Sequence, residues 1–430
     1  MTDLLGVAPA QHPVDVQSIS DIIDRRLVRA VYQPLVHLST RETVGYEALA
    51  RGPVGTAFEN PMVMLDAARA VGRLPELDWA CRGAAVRGAL IGGLRPPFTL
   101  FVNAEPDTIG TPCPDELVPL LATAESELRV VMEFTERALA RDPSGLLAAV
   151  GSVRNAGWGI ALDDVGAEPA SLALLPFLHP DVVKLDLRLV QARTDAEIAS
   201  IANAVRAHAE RTGAVILAEG IETEEQAQTA IVLGATYGQG WLFGRPGALP
   251  VTSVVPSDPF PLLPAEVDHG RATPFDIVAA TRPTVRVAKR LLIPMSRHLE
   301  DQALAGGNPS VLLGCFQQER FYTDNTRHRF DRLAETTALA AALGAGLELG
   351  PTSVVRSANL SPFDPLIDEW NVIVVGPFFA AALVAQDIGD EGPDMERRFD
   401  FAITHDRPLV LAAARAALHR ITVGTGLVGK

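Results

Sequence analysis

A chain of 430 residues is too long for one average domain and predicts two, or one large barrel with a smaller module. Apolar residues make up 48% and charged residues 21%, ample for a sizeable core, which excludes a disordered chain. A net charge of −15 argues against a nucleic acid polymer as partner of the surface as a whole.

Cys81, Cys113 and Cys315 lie far apart without metal-ligand spacing and read as structural thiols of a reducing compartment. Residues Met1 to Val14 lack the basic and long apolar regions of a secretory signal, and no segment offers about 18 uninterrupted apolar residues. The expected setting is cytoplasmic and soluble, with no membrane span.

Residues 1–16 read as a tail. From 17 to 248, short β-prone runs alternate with helical patterns, as in a mostly parallel α/β fold. The runs are Val31–Val36, Thr43–Leu49, Phe98–Asn103, Arg129–Glu133, Gly159–Asp163, Val182–Asp186, Val215–Glu219 and a weaker one at Thr236–Gly238. Eight such runs predict a (β/α)8, TIM-like barrel. Thr194 to Glu197 reads as a capping box opening a helix with Ile198, Ile201 and Val205 on one face. Thr223 to Gln226 repeats the device, and Gly234 is the expected stop.

Residues 249–273 are rich in proline and read as an extended linker of limited flexibility. A smaller α/β or α+β unit is expected over 274–422, followed by a tail at 423–430. It opens with a helical pattern at Thr284–Leu299, which Pro294 is placed to kink or end. Strand-like runs follow at Ser310–Phe316, Thr352–Arg356 and Asn371–Val375, and an Ala-rich helix at Leu409–Ile421 has Pro408 in its first turn.

The informative regularity lies where the first-domain strands end. The run Trp158–Gly166 stops in Asp163 and Asp164; an ordinary Asx turn is one reading, a buried strand delivering a metal site the other. Other runs end in Glu47, Asn103, Glu133, Lys184 with Asp186, and Glu219. In a barrel these ends converge on one face. The donors are carboxylates and one amide, a set that suits Mg²⁺ or Mn²⁺ better than zinc and has enough oxygens for two ions. Such a site cleaves phosphate esters, and Lys184 adds positive charge near the developing oxyanion.

These residues fall in an ordered series: Tyr32-Gln33-Pro34, Glu47-Ala48-Leu49-Ala50-Arg51, Val102-Asn103, Glu133-Phe134-Thr135-Glu136, Asp163-Asp164, Lys184-Leu185-Asp186, Ala218-Glu219-Gly220-Ile221-Glu222 and Gln239-Gly240. Over about residues 16–248 the chain resembles the EAL family of cyclic di-GMP phosphodiesterases. The resemblance implies hydrolysis of cyclic di-GMP to linear pGpG with Mg²⁺ or Mn²⁺. Glu47, Asn103, Glu133, Asp163 and Asp164 would hold the metals. Lys184, Glu219 and Gln239 would complete the site, with Glu219 the candidate general base and Glu47 and Lys184 sharing the catalytic machinery. Arg51, Gln239 and Asp186 would face substrate, Glu136 and Glu222 would support loops, and a homodimer is implied. Simpler roles compete: a surface ion pair for Arg51, a helix-start charge for Glu222, a turn for Gln239.

Two stretches depart from the family pattern. The Gly-rich loop that usually follows the Asp pair is replaced by Val165-Gly166-Ala167-Glu168-Pro169-Ala170, which removes a glycine and stiffens the segment. The alternative function is therefore a catalytically weak or inactive EAL module acting as a cyclic di-GMP receptor or protein-interaction domain. Glu105, after Asn103, reads as a loop charge rather than an added ligand. Residues 274–422, through Asp364 to Pro377, Arg397 to Phe401 and Thr404 to Arg407, resemble the DICT sensory domain, whose ligand or partner the pattern leaves unknown. There Trp370 reads as a core or edge-strand aromatic in preference to a pocket wall, and Arg398 and Arg407 as exposed charges in preference to an anion site.

Overall fold

The computed structural model describes residues 18–105, 108, 110–135, 142–167, 171–193, 195–250, 255–263, 272–305, 309–350 and 352–421. The chain divides into two compact units, one of residues 1–138, 149–167 and 180–264, the other of 139–148, 168–179 and 265–430. No helix among the described residues is long and apolar enough to cross a membrane.

Eight strands close the first unit into a barrel: β1 (Arg29–His37), β2 (Thr43–Arg51), β3 (Thr99–Asn103), β4 (Arg129–Thr135), β5 (Gly159–Val165), β6 (Val182–Leu185), β7 (Val215–Ala218) and β8 (Tyr237–Gln239). The strands from β2 to β8 pair in parallel, whereas β1 runs antiparallel to both of its neighbours. Each predicted run falls on one of these strands. The central ones are buried on both faces, which is why they read as continuous apolar runs.

Below the strand ends, Leu35, Phe101, Val131, Val182, Leu217 and Tyr237 belong to one apolar cluster that fills the barrel. Phe260 completes it. The proline-rich stretch thus does more than connect: Phe260 is fully buried, its ring 5.4 Å from Phe101 and 4.5 Å from Tyr237. Asp181, just before β6, is likewise buried; it accepts from the Ile160 amide at 2.6 Å and pairs with Arg154 at 2.6 Å. The helix Ala196–Thr212 is capped by Asp195, whose Oδ1 accepts from the Ile198 amide at 2.9 Å, so the expected cap shifts by one residue; Thr194 lies outside the described residues. The Thr223 and Gln226 capping box forms as expected, and Gly234 ends its helix in the left-handed region.

The second unit contains seven strands: β9 (Val285–Ala288), β10 (Val311–Gln318), β11 (Leu339–Ala345), β12 (Arg356–Asn359), β13 (Glu369–Val375), β14 (Ala380–Asp387) and β15 (Arg398–Thr404). They form one sheet in the order β12-β11-β10-β13-β14-β15-β9, parallel from β10 to β12 and antiparallel elsewhere.

Two sequence expectations change here, and two Ala-rich strands appear where none was expected. The helix expected from Thr284 begins only at Lys289 and runs through Pro294 to Ala305, because Val285–Ala288 is an edge strand pairing with β15, with Arg286 bound to Asp400 at 2.8 Å. The strand expected at Thr352–Arg356 lies at Arg356–Asn359 instead, since the Ser353 hydroxyl accepts from the Val355 amide and holds a turn. The strands β11 and β14 escape sequence reading because they are Ala-rich; buried on both faces, they need small side chains rather than strand propensity.

Glu369 is a buried carboxyl at the head of β13, accepting from the Phe275 amide at 3.1 Å and the Asn371 amide group at 2.8 Å. Burial pushes its pKa up from 4.5 to about 7, against these hydrogen bonds.

Two outcomes follow for stability. Phe260→Ala removes a fully buried ring and should cost about 3–5 kcal/mol, read as a lowered midpoint in chemical unfolding. The folded state binds the Glu369 proton more tightly than the unfolded chain, so stability is lost as pH rises through the interval from 4.5 to about 7. Relative to Glu369→Gln, the wild type should therefore lose about 3 kcal/mol between those limits and stay level above them. Urea unfolding of both proteins at several pH values measures the difference.

Candidate active site

The strand ends place their polar residues around one buried ammonium. Lys184, on a β6 whose four residues are all buried, is fully inaccessible. Its Nζ lies 2.7 Å from Glu133 Oε1, 2.7 Å from Glu219 Oε1, 3.0 Å from Asp163 Oδ1 and 3.8 Å from Glu47 Oε1. Four carboxylates from β2, β4, β5 and the end of β7 thus meet one cation. The barrel register explains this: Asn103 stands beside Glu133 and Thr135 beside Asp163.

Amides fix the carboxylates from the other side. Asn103 donates to Glu47 Oε1 at 3.0 Å and Gln239 to Glu47 Oε2 at 2.6 Å. Gln239 also donates to Gln33 Oε1 at 3.1 Å, and Gln33 to the Gly244 carbonyl at 3.1 Å. Gln33 received no role from the sequence, although its polar side chain in an otherwise apolar strand was a usable signal. Behind Gln239, a Cβ on Gly240 would lie 2.0 Å from the Ile221 carbonyl oxygen, so only glycine lets the two loops meet so closely.

Burial raises the Glu133 carboxyl well above its usual range, reinforced by Glu47 and Asp163 and opposed by Lys184. Burial also lifts Glu219 to about 8, with Asp163 and Glu47 adding repulsion against the pull of Lys184. Glu47 is the exception: burial works upward, yet Lys184, Gln239 and Asn103 together hold its pKa below normal. Lys184 itself is desolvated, but the surrounding carboxylates keep its pKa well above normal. The set is short of positive charge.

At its open side, Asp163, Asp164 and Glu219 each present an oxygen within 4.8 Å of the others. The Asp163 carboxylate accepts from the Asp164 amide at 3.0 Å, and Asp164 adopts φ +57°, a left-handed conformation that Asp tolerates, at the irregularity where the pairing of β5 with β6 shifts register. The pair faces the ligand cluster, and the Asp163 bond reaches only the next amide, one residue short of an Asx turn. All donors are oxygen, which fits Mg²⁺ or Mn²⁺.

Other residues stand differently. Arg51 donates to the Ala50 carbonyl at 2.7 Å at the end of β2; burial and neighbouring Arg29 lower its pKa while Glu47 raises it. Asp186 caps the short helix Leu187–Gln191, accepting from the Arg188 amide and side chain at 2.8 and 2.9 Å, so its carboxylate is engaged locally. Glu222 is exposed and donates through its backbone amide to Gln226 at 2.7 Å. Glu105 lies 3.6 Å from Arg69, as suits a loop charge. Glu136, Glu168, Pro169 and Ala170 lie outside the described residues.

Comparison with known proteins gives a consistent picture. Residues 276–387 match DICT, the sensory domain in diguanylate cyclases and two-component systems. The cyclic di-GMP phosphodiesterase RocR of Pseudomonas aeruginosa is 31% identical over 242 residues, 54% of this chain and 61% of that protein. The probable cyclic di-GMP phosphodiesterase PdeB of Escherichia coli is 30% identical over 237 residues, 54% of this chain and 45% of that protein. The chain thus spans less than two thirds of the length of either relative. A solved structure of Klebsiella pneumoniae BlrP1 in a calcium and cyclic di-GMP complex aligns at 30% identity with a TM-score of 0.45, covering 51% of this chain and 56% of that one. Residues 16–246, more than half of the chain and the whole of the barrel, match the EAL domain, and the protein belongs to that family.

Proposed function

We propose that the barrel is a divalent-metal-dependent phosphodiesterase that opens cyclic di-GMP to linear pGpG. The observation that carries this reading is the convergence of Glu47, Glu133, Asp163 and Glu219 on Lys184 at one rim of the barrel. Glu47, Asn103, Glu133, Asp163 and Asp164 would hold Mg²⁺ or Mn²⁺, which when bound lowers the pKa of water and neutralises phosphate charge. The raised carboxyls of Glu133 and Glu219 support this, because added positive charge opposes the burial and the repulsion that lift them.

The chain's own residues supply the rest. Glu219 stands at the open side of the cluster and takes the proton of the attacking water. Lys184 holds the Glu219 carboxylate in place at 2.7 Å and offsets negative charge developing on the phosphoryl oxygens. Gln239 and Asn103 lock Glu47 through both its oxygens, so that it is oriented before substrate arrives. Arg51 suits a substrate phosphate by its planar fork. We also assign the C-terminal sensory domain the role of adjusting this output, and the family resemblance supports a cytoplasmic homodimer.

Purified full-length protein should release pGpG from cyclic di-GMP with Mg²⁺ or Mn²⁺, and Asp163→Asn should reduce turnover on the order of 10²-fold or more, beyond the usual cost of losing an outer-sphere partner. Binding without hydrolysis under either metal would overturn the enzyme reading and leave a receptor. Lys184→Met should destabilise the metal-free protein by about 3–5 kcal/mol, because it strands buried carboxylates. Saturating Mn²⁺ should restore part of that loss in a thermal-shift assay; a melting temperature insensitive to Mn²⁺ in both proteins counts against a metal site.

A further inference from the structure

Within the second unit, a cavity of about 270 Å³ opens between the helices Lys289–Ala305 and Asp324–Ala334 and the end of β10. Aromatic side chains from three places line it: Phe316, Phe321 and Trp370. Trp370 also meets Phe399 edge-on, with ring centroids 5.8 Å apart, so its position is set by the core while it lines the cavity. The sequence alternatives of core aromatic and pocket wall are both realised.

The polar lining is built as well. Gln317 is buried at a bulge where the β10 and β11 register breaks, with φ +63°, a conformation that costs energy in a residue other than glycine. Its side chain is fixed on both sides, donating to Asp387 at 3.2 Å and accepting from Arg397 at 3.1 Å. Glu300, 1% exposed, pairs with Arg329, and Lys289 pairs with Asp394 at 2.7 Å. Within each of these pairs the charges cancel. The remaining lining charge is Arg297, an exposed side chain that forms no ion pair among the described residues, although its field reaches Glu300. Three cations therefore face two carboxylates in a cavity whose walls are mixed, polar side chains alternating with Phe316, Phe321, Trp370 and the aliphatic Ile293 and Met395.

We propose that this cavity is the sensory domain's ligand site, and that its ligand is a small planar aromatic acid whose carboxylate pairs with Arg297 while its ring lies among Phe316, Phe321 and Trp370. Volume limits the ligand to one or two rings, since sites for larger drug-sized molecules start at roughly 300 Å³. The single surplus cation selects a monoanion, and a neutral analogue forgoes the charge-assisted contact. The site needs nothing from the barrel, so it stands or falls separately from the phosphodiesterase reading.

Calorimetry on the full-length protein without nucleotide tests it, using benzoate and indole-3-acetate as probes, benzamide and indole-3-acetamide as neutral counterparts, and acetate as the ringless acid. At least one aromatic acid should bind with Kd below about 1 mM while its amide and acetate bind about tenfold more weakly or not at all. Arg297→Gln, an exposed substitution whose folding is checked by an unchanged melting temperature, should weaken the aromatic acid about tenfold. No binding by either acid, equal binding of acid and amide, equal binding of acetate, or an affinity unchanged in Arg297→Gln would overturn the proposal.

Discussion

The barrel's chemistry depends on one buried ammonium. Taking Lys184 fully out of water is costly, and so is gathering Glu47, Glu133, Asp163 and Glu219 around it. Each makes the other tolerable. A lysine alone in that position would give up its proton, and the carboxylates alone would take protons up. Together the lysine stays charged and Glu47 stays ionised, while Glu133 and Glu219 remain raised. One positive charge among four carboxylates is an incomplete balance, and the incompleteness is what suits the rim to divalent cations.

That balance needs a rigid floor. The apolar layer capped by Phe260 sits below the rim, and the Asp181 and Arg154 pair secures the opposite strand ends through the Ile160 amide. Stability and chemistry are thereby assigned to different ends of the same strands, the arrangement general to such barrels. A residue such as Asp181 shows how alike the two kinds of buried carboxylate look in sequence. Its partners are two backbone amides, those of Ile160 and Leu263, and one arginine, which makes it structural; those of Glu133 and Asp163 are each other and a shared lysine.

The second unit follows another rule. Its sheet is buried on both faces at β13 and β14, which leaves little room for polar chemistry along the strands themselves. Polar and aromatic groups gather instead where β10 breaks register at Gln317 and the flanking helices part. Arg398 and Arg407, the other cations that drew notice in the sequence, are used locally, Arg398 on Asp390 at 2.9 Å and Arg407 on the Gly376 carbonyl at 2.7 Å.

The sequence by itself determined the eight barrel strands and the residues gathered at their ends, because continuous apolar runs that stop in charged or amide side chains are local patterns, and a barrel brings such ends together whatever the loops do. It could not show that Asp186 would cap a helix while Lys184, two residues earlier, would reach four carboxylates, since residues two apart share a strand face and only the fold ends the strand at Leu185 and turns the chain into a helix at Asp186. Nor could it show that a proline-rich stretch would supply the core residue Phe260, or that Ala-rich segments would be central strands. Those outcomes rest on what packs against them, and burial is a property of the folded chain rather than of any stretch of it. The strand ends were written locally; the charge balance around Lys184 and the cavity beside Trp370 came into being only when distant segments met.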